Sequence, residues 1–171
     1  MASAPPDDAM SLPQGDLGLL QTEVAQRLLA SSIPARLAYT AKDGTPRVIP
    51  TWFEWNGEAI VMATYVNGPA MGITKPARRL AALRAAPDVA ITIDTDAFPP
   101  AVLSLRGRAE IDEVDGLAPE YVSSAKRYLG QEQGAAMAAQ MDVPGTRQAR
   151  VVVRPTWVGV IDFVTRAPGG G

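Results

Sequence analysis

Hydrophobic residues recur with a definite period along much of this chain, and the period changes where prolines and glycines stand. Leu17, Leu20, Val24 and Leu28 repeat at helical spacing behind Asp16, a favourable N-cap residue. They predict a helix over residues 16–31 with that stripe as its buried face. After Pro34 the period falls to two: Ala35, Leu37 and Tyr39 alternate with Arg36, Ala38 and Thr40, as in a half-buried strand. Asp43-Gly44 and Asn56-Gly57 are both hairpin signals. Strands over 47–55 and 58–65 then complete an antiparallel meander across residues 35–65. A loop with glycines and a proline leads to residues 74–86, read as a short helix. Thr74 or Lys75 would cap it, Pro76 sit in its first turn, Leu80 and Leu83 face inward, and Ala86-Pro87 stop it. Val89, Ile91 and Ile93 alternate again as a strand. Past a turn at Phe98-Pro99-Pro100, a long strand over 101–112 puts Leu103, Leu105, Gly107, Ala109 and Ile111 on one face. Two helices follow. Pro119 starts the first, Tyr121, Ala125 and Tyr128 face inward, Gly130 ends it, and the second covers 131–141. A last hairpin is expected from 150–154 and 157–165, turning at Pro155 and Thr156.

This order, α-βββ-α-ββ-αα-ββ, predicts a mainly β (α+β) fold of six or seven antiparallel strands with flanking helices. Such a set can close into a small barrel and remove its exposed edges. Strict β-α-β alternation is missing, as are the glycine-rich loops of dinucleotide and P-loop sites. Residues 1–15, rich in Pro, Ala, Ser and Asp, read as a flexible arm, 16–166 as one domain, and 167–171 as a mobile tail. The N-terminal residues lack a secretory pattern and no apolar run reaches membrane-span length, so a soluble, cytoplasmic protein is expected.

Composition narrows the chemistry. Of 171 residues none is histidine or cysteine. That removes thiol catalysis, imidazole acid–base catalysis and the usual zinc sites, and no spaced carboxylate motif replaces them. An enzyme so built relies on a bound cofactor for its difficult step. The net charge is −2, so the chain is not generally basic as most nucleic-acid binders are. Its cations instead crowd one place. Lys75, Arg78 and Arg79 stand at the start of the predicted helix, where the backbone dipole is already positive. Free N–H groups and cations together make an anion site, and a phosphate anchor is the reading preferred over a solvated basic face.

Two further segments carry candidate chemistry. In the run Arg47, Val48, Ile49, Pro50, Thr51, Trp52, the proline can donate no ladder hydrogen bond and belongs at an edge, a bulge or a ligand. Trp52 shares a face with Val48 and Pro50. It suits a core or subunit interface, and the sharper reading lets it border a flat ligand. Thr64, late in the third strand, can offer a hydroxyl to the same ligand.

The series from Ala35 through Thr64, then Lys75 to Asp94, then Leu103 to Ile111, resembles the pyridoxamine 5′-phosphate oxidase-like superfamily in order and spacing. The resemblance implies a split β-barrel that binds FMN or the deazaflavin coenzyme F-420. It implies that Arg47 and its strand contact the cofactor ring. The family's short phosphate motif falls on Ala77, Arg78 and Arg79, and its strand-three end on Ala63 and Thr64. Homodimers with cofactor sites at the subunit interface are implied as well. Trp52 and Val102 stand where true pyridoxamine-phosphate oxidases carry a lysine and a glutamine, and their C-terminal Arg-x-His pair is absent. Vitamin B6 oxidation is therefore not expected. The implied function is an FMN- or F-420-dependent oxidoreductase passing hydride to a small unsaturated molecule, with solvent or Tyr65 as proton source. The alternative is a flavin or deazaflavin carrier without turnover. Lys75 and Arg36 are assigned to a longer acidic cofactor tail, and no catalytic residue or metal ligand is singled out.

Overall fold

A computed structural model describes residues 12–166. The expectations for the N-terminal arm, before residue 12, and for the tail at 167–171 lie outside the described residues. Seven strands form one antiparallel sheet: β1 (Ala35–Thr40), β2 (Pro46–Thr51), β3 (Glu54–Trp55), β4 (Ile60–Asn67), β5 (Asp88–Asp94), β6 (Val102–Asp115) and β7 (Arg147–Ile161). They lie in the order β2-β1-β5-β6-β7-β4-β3. The helices are α1 (Glu23–Leu29), α2 (Arg78–Ala85), α3 (Pro119–Leu129) and α4 (Gln131–Met141). None of the described helices is long and apolar enough to cross a membrane.

The sheet order contains its own closure. β2 and β3 occupy opposite edges, yet only Trp52 and Phe53 separate them in the chain. Three peptide units reach at most about 11 Å, against a strand spacing near 4.8 Å. The sheet must therefore roll until its two edges nearly meet, and they do not pair: the barrel is split along this seam. The concave face holds the core, with Leu37, Ile60, Ile91, Ile93, Leu103, Leu105, Val153, Val158 and Val160 each at most 2% exposed. Phe53, at 1%, plugs the seam itself.

Several sequence expectations change here. The predicted strand over 47–55 breaks at Trp52-Phe53 because its two halves pair with different neighbours, β2 with β1 and β3 with β4. The meander therefore stops after β2, and β4 runs beside β7 instead. The predicted helix at 16–31 is a 3₁₀ turn (Leu17–Gln21) followed by α1, because Thr22 takes the N-cap and its hydroxyl accepts from Ala25 N–H. The stripe shifts with it: Leu19 is 0% exposed and Leu17 is 48% exposed. The last hairpin is one continuous strand. Gly107 pairs with Pro155 and Arg106 with Trp157, so Thr156 is the extra residue of a β-bulge. Proline is tolerated there because it stands at the bulge, where the ladder hydrogen bonds are locally interrupted.

Candidate functional site

Two cavities open along β2. The first, of about 620 Å³, is lined by Tyr39, Lys42, Asp43, Arg47, Arg78, Arg79 and the alanines Ala41, Ala81 and Ala82. The β1–β2 turn builds one wall. Gly44 takes φ +79°, and Asp43 receives hydrogen bonds from Thr45 N–H (3.0 Å) and from the Thr45 hydroxyl. Arg47 then bridges back to Asp43 at 2.9 Å. The Thr45 contacts, with Arg47 adding its charge, hold the Asp43 carboxyl below the usual carboxylate range.

The opposite wall is the start of α2. Its N-cap is Ala77, not Thr74 or Lys75, and no side chain caps the first-turn N–H groups. Pro76 and Lys75 precede the helix. Arg79 is half-buried and donates to the hydroxyl of Thr64, itself buried on β4. Burial lowers the Arg79 pKa, with the neighbouring Tyr39 opposing, but a guanidinium so placed still keeps its proton. Arg78 is exposed and has no hydrogen bond or ion pair among the described residues. Four cations thus face one carboxylate around an uncapped helix start, an arrangement that attracts an anion.

The second cavity, of about 500 Å³, is bounded by Pro50, Thr51 and Trp52 from the end of β2, Ala63 and Tyr65 from β4, Tyr121 and Ser124 from α3, with Pro34 and Met71. It is mostly apolar and aromatic. Trp52 stacks on Tyr128, with centroids 4.9 Å apart and planes 13° from parallel. Tyr128 in turn donates to Ile33 carbonyl oxygen at 3.1 Å, and burial pushes its phenol up to about 12. Arg127 donates to the Leu29 carbonyl at 2.9 Å and to the Phe53 carbonyl, and stacks on the Phe53 ring. The C-terminal half of α3 thereby clamps the seam that carries Trp52.

The sequence-predicted residues divide accordingly. Arg47, Arg78 and Arg79 come together at the basic cavity, and Thr64 supports Arg79. Pro50, Thr51, Trp52 and Ala63 come together at the aromatic one. Lys75, Val48 and Ile49 line neither: Val48 and Lys75 point to solvent, and Ile49 packs on the core. Arg36 is paired with Asp94 at 2.5 Å, so its charge is already met within the sheet. The Tyr65 hydroxyl is buried and its pKa is pushed up by that burial, which makes it a weaker acid than an exposed tyrosine. Val102 borders a separate small groove beside Trp157. The sequence reading missed Lys42, whose only signal was its place beside the Asp43-Gly44 turn. It also missed Tyr121 as a cavity residue, since its helical spacing marks it for the interior.

No protein-family model matches the chain, and no curated protein sequence does. Solved structures do. An F-420 reductase superposes with a TM-score of 0.57 at 26% identity, over 78% of this chain and 94% of its own. A Clostridium acetobutylicum protein related to general stress protein 26, of the pyridoxinephosphate oxidase family, gives 0.55 at 14% identity over 81% and 86%. HutZ, the heme storage protein of Vibrio cholerae, gives 0.51 at 16% identity over 80% and 90%. The chain has the split-barrel fold of the pyridoxamine 5′-phosphate oxidase-like superfamily. Within that class the named neighbours differ in their chemistry, so the fold alone assigns none of them.

Proposed function

We propose that this chain binds FMN or the deazaflavin coenzyme F-420 and uses it to reduce a small unsaturated molecule. The observation that carries this reading is the pairing of a basic and an aromatic cavity along one strand. Arg47 and Thr51 lie four residues apart on one face of β2, about 13 Å. That separation suits a phosphate at one end and a flat ring at the other. Arg78, Arg79, Lys42 and the uncapped N–H groups of α2 take the phosphate. Pro50, Thr51, Trp52 and Ala63 border the ring. The 26% identity to an F-420 reductase supports the same reading.

When bound, such a cofactor supplies the hydride. The chain's own residues hold and orient it, and the apolar walls of the aromatic cavity exclude water. Pairing into a homodimer extends the reading: the outer face of β2, with exposed Pro46, Val48 and Pro50, suits a partner subunit and would complete the site at the interface.

Titration of purified protein with FMN and with F-420, followed by ring fluorescence, tests the reading. Saturable micromolar or tighter binding of one of them is expected, and failure of both to bind would sink it. A second reading, binding without turnover, is favoured by one observation: among the described residues no carboxyl or amine side chain lines the aromatic cavity. It predicts tight binding with no acceleration of cofactor reoxidation by any acceptor.

A further inference from the structure

Behind the aromatic cavity lies a short polar chain with a fixed direction. Gln148 is 0% exposed. Its Oε1 accepts from Ala118 N–H at 2.8 Å, serving the start of α3, where the N-cap residue Ala118 has no side chain to do so. That bond fixes the amide, so Nε2 faces the other way, and it makes no hydrogen bond among the described residues. Directly opposite Gln148 in the β4–β7 ladder is Tyr65, whose buried hydroxyl also lacks a partner. The Tyr65 ring meets Tyr121 edge-on at 5.8 Å, and both tyrosines line the cavity.

Donor arithmetic orders these three groups. An amide nitrogen only donates, whereas a phenol both donates and accepts. The Gln148 amide and the Tyr121 hydroxyl both stand beside the Tyr65 hydroxyl, so the Gln148 amide is oriented to give to Tyr65. Tyr65, held protonated by its burial, then gives to Tyr121. That leaves the Tyr121 hydrogen for the cavity, which Tyr121 lines. Successive donors polarise one another, so the last is the strongest.

We propose that the Tyr121 hydroxyl is a ligand-facing donor, aimed by Tyr65 and Gln148, that selects aromatic-cavity ligands bearing a carbonyl-type oxygen. This rests on the reading of that cavity as a ligand site. The oxygen belongs either to the cofactor ring or to the molecule reduced. Tyr65 and Gln148 are positioning residues: they act through Tyr121.

The test uses 2-acetylnaphthalene and 2-ethylnaphthalene, flat probes of equal shape that differ by one carbonyl oxygen. Their binding to the full chain, without cofactor, is read by quenching of tryptophan fluorescence. The ketone-to-hydrocarbon affinity ratio should fall about tenfold in Tyr121→Phe, the worth of one well-made hydrogen bond. Tyr65→Phe, which keeps the Tyr121 hydroxyl but removes its donor, should lower it about threefold. An unchanged ratio in Tyr121→Phe overturns the proposal, as does failure of both probes to bind. Should a variant not fold, the wild-type ratio decides: a ketone bound no tighter than the hydrocarbon overturns it. Parallel FMN and F-420 titrations of Tyr121→Phe identify the source of the oxygen. A loss there assigns it to the cofactor ring, and no loss assigns it to the substrate. Because the naphthalene titrations need no cofactor, they stand even if neither cofactor binds.

Discussion

Arg78 and Arg79 are neighbours in sequence but not equivalent in environment. Arg79 is half-buried and held by Thr64, while Arg78 is exposed with no partner among the described residues. On the proposed reading, a phosphate bound between them would be desolvated mainly by Arg79. Arg79→Ala should therefore weaken FMN or F-420 binding by about 2 kcal/mol or more, and Thr64→Val by about 1 kcal/mol through loss of Arg79's orientation. Arg78→Ala should fall between, and all three should be measured by cofactor fluorescence titration at one fixed salt concentration. Asp162 shows a different use of a charge. It is nearly buried, which raises its pKa, but the Thr165 hydroxyl and the N–H groups of Arg166, Thr165 and Val164 donate to it and bring it down to about 2. Unfolded aspartate titrates near 3.9. Its folded-state pKa is lowered, so its contribution is complete above the unfolded value and is lost as pH falls through the folded one. Asp162→Ala should cost about 1–3 kcal/mol at pH 7 in urea melts, with the deficit shrinking towards zero near pH 2.

Among the elements, the β6–β7 pair sets the tightest constraint. At the bulge the two backbones approach so closely that a Cβ on Gly107 would lie 2.4 Å from the Arg154 carbonyl oxygen. Backbone cannot yield as a flexible side chain can. Gly107→Ala should destabilise by about 3 kcal/mol, read as a lowered denaturation midpoint at unchanged slope. The bulge also shows where sequence reading reaches its limit. Alternation named the inward residues of β6 correctly, since burial on one face is a local property of period two. Pro155-Thr156 looked like a turn, because a proline marks an interrupted ladder whether the chain turns there or bulges. Thr22 displaced Asp16 as the α1 cap for a similar reason: two cap residues stood in line, and tertiary packing of Leu19 chose the later.

For the molecule as a whole, most of the strands, both hairpin turns and the Arg78-Arg79 pair were legible, because each rests on neighbours in the chain. The cavities were not. Lys42 shares a cavity with Arg79, and Tyr121 meets Tyr65, only in the folded chain, and no spacing along the sequence records that. Assembly is checked at this scale. A homodimer through β2 predicts a size-exclusion mass near twice 18.1 kDa. Val48→Asp on the exposed face of β2 should shift it towards the monomer and weaken cofactor binding in step.

The link of Trp52 and Phe53 between the two edge strands can be seen as a ruler. Its length sets how far the seam gapes, and Pro50, Thr51 and Trp52 hang on one side of that gap. Each residue added there gives up to about 3.5 Å of slack without touching a ladder hydrogen bond. Ligand size would thus be adjustable by insertions at a single point, independently of the core and of the phosphate end.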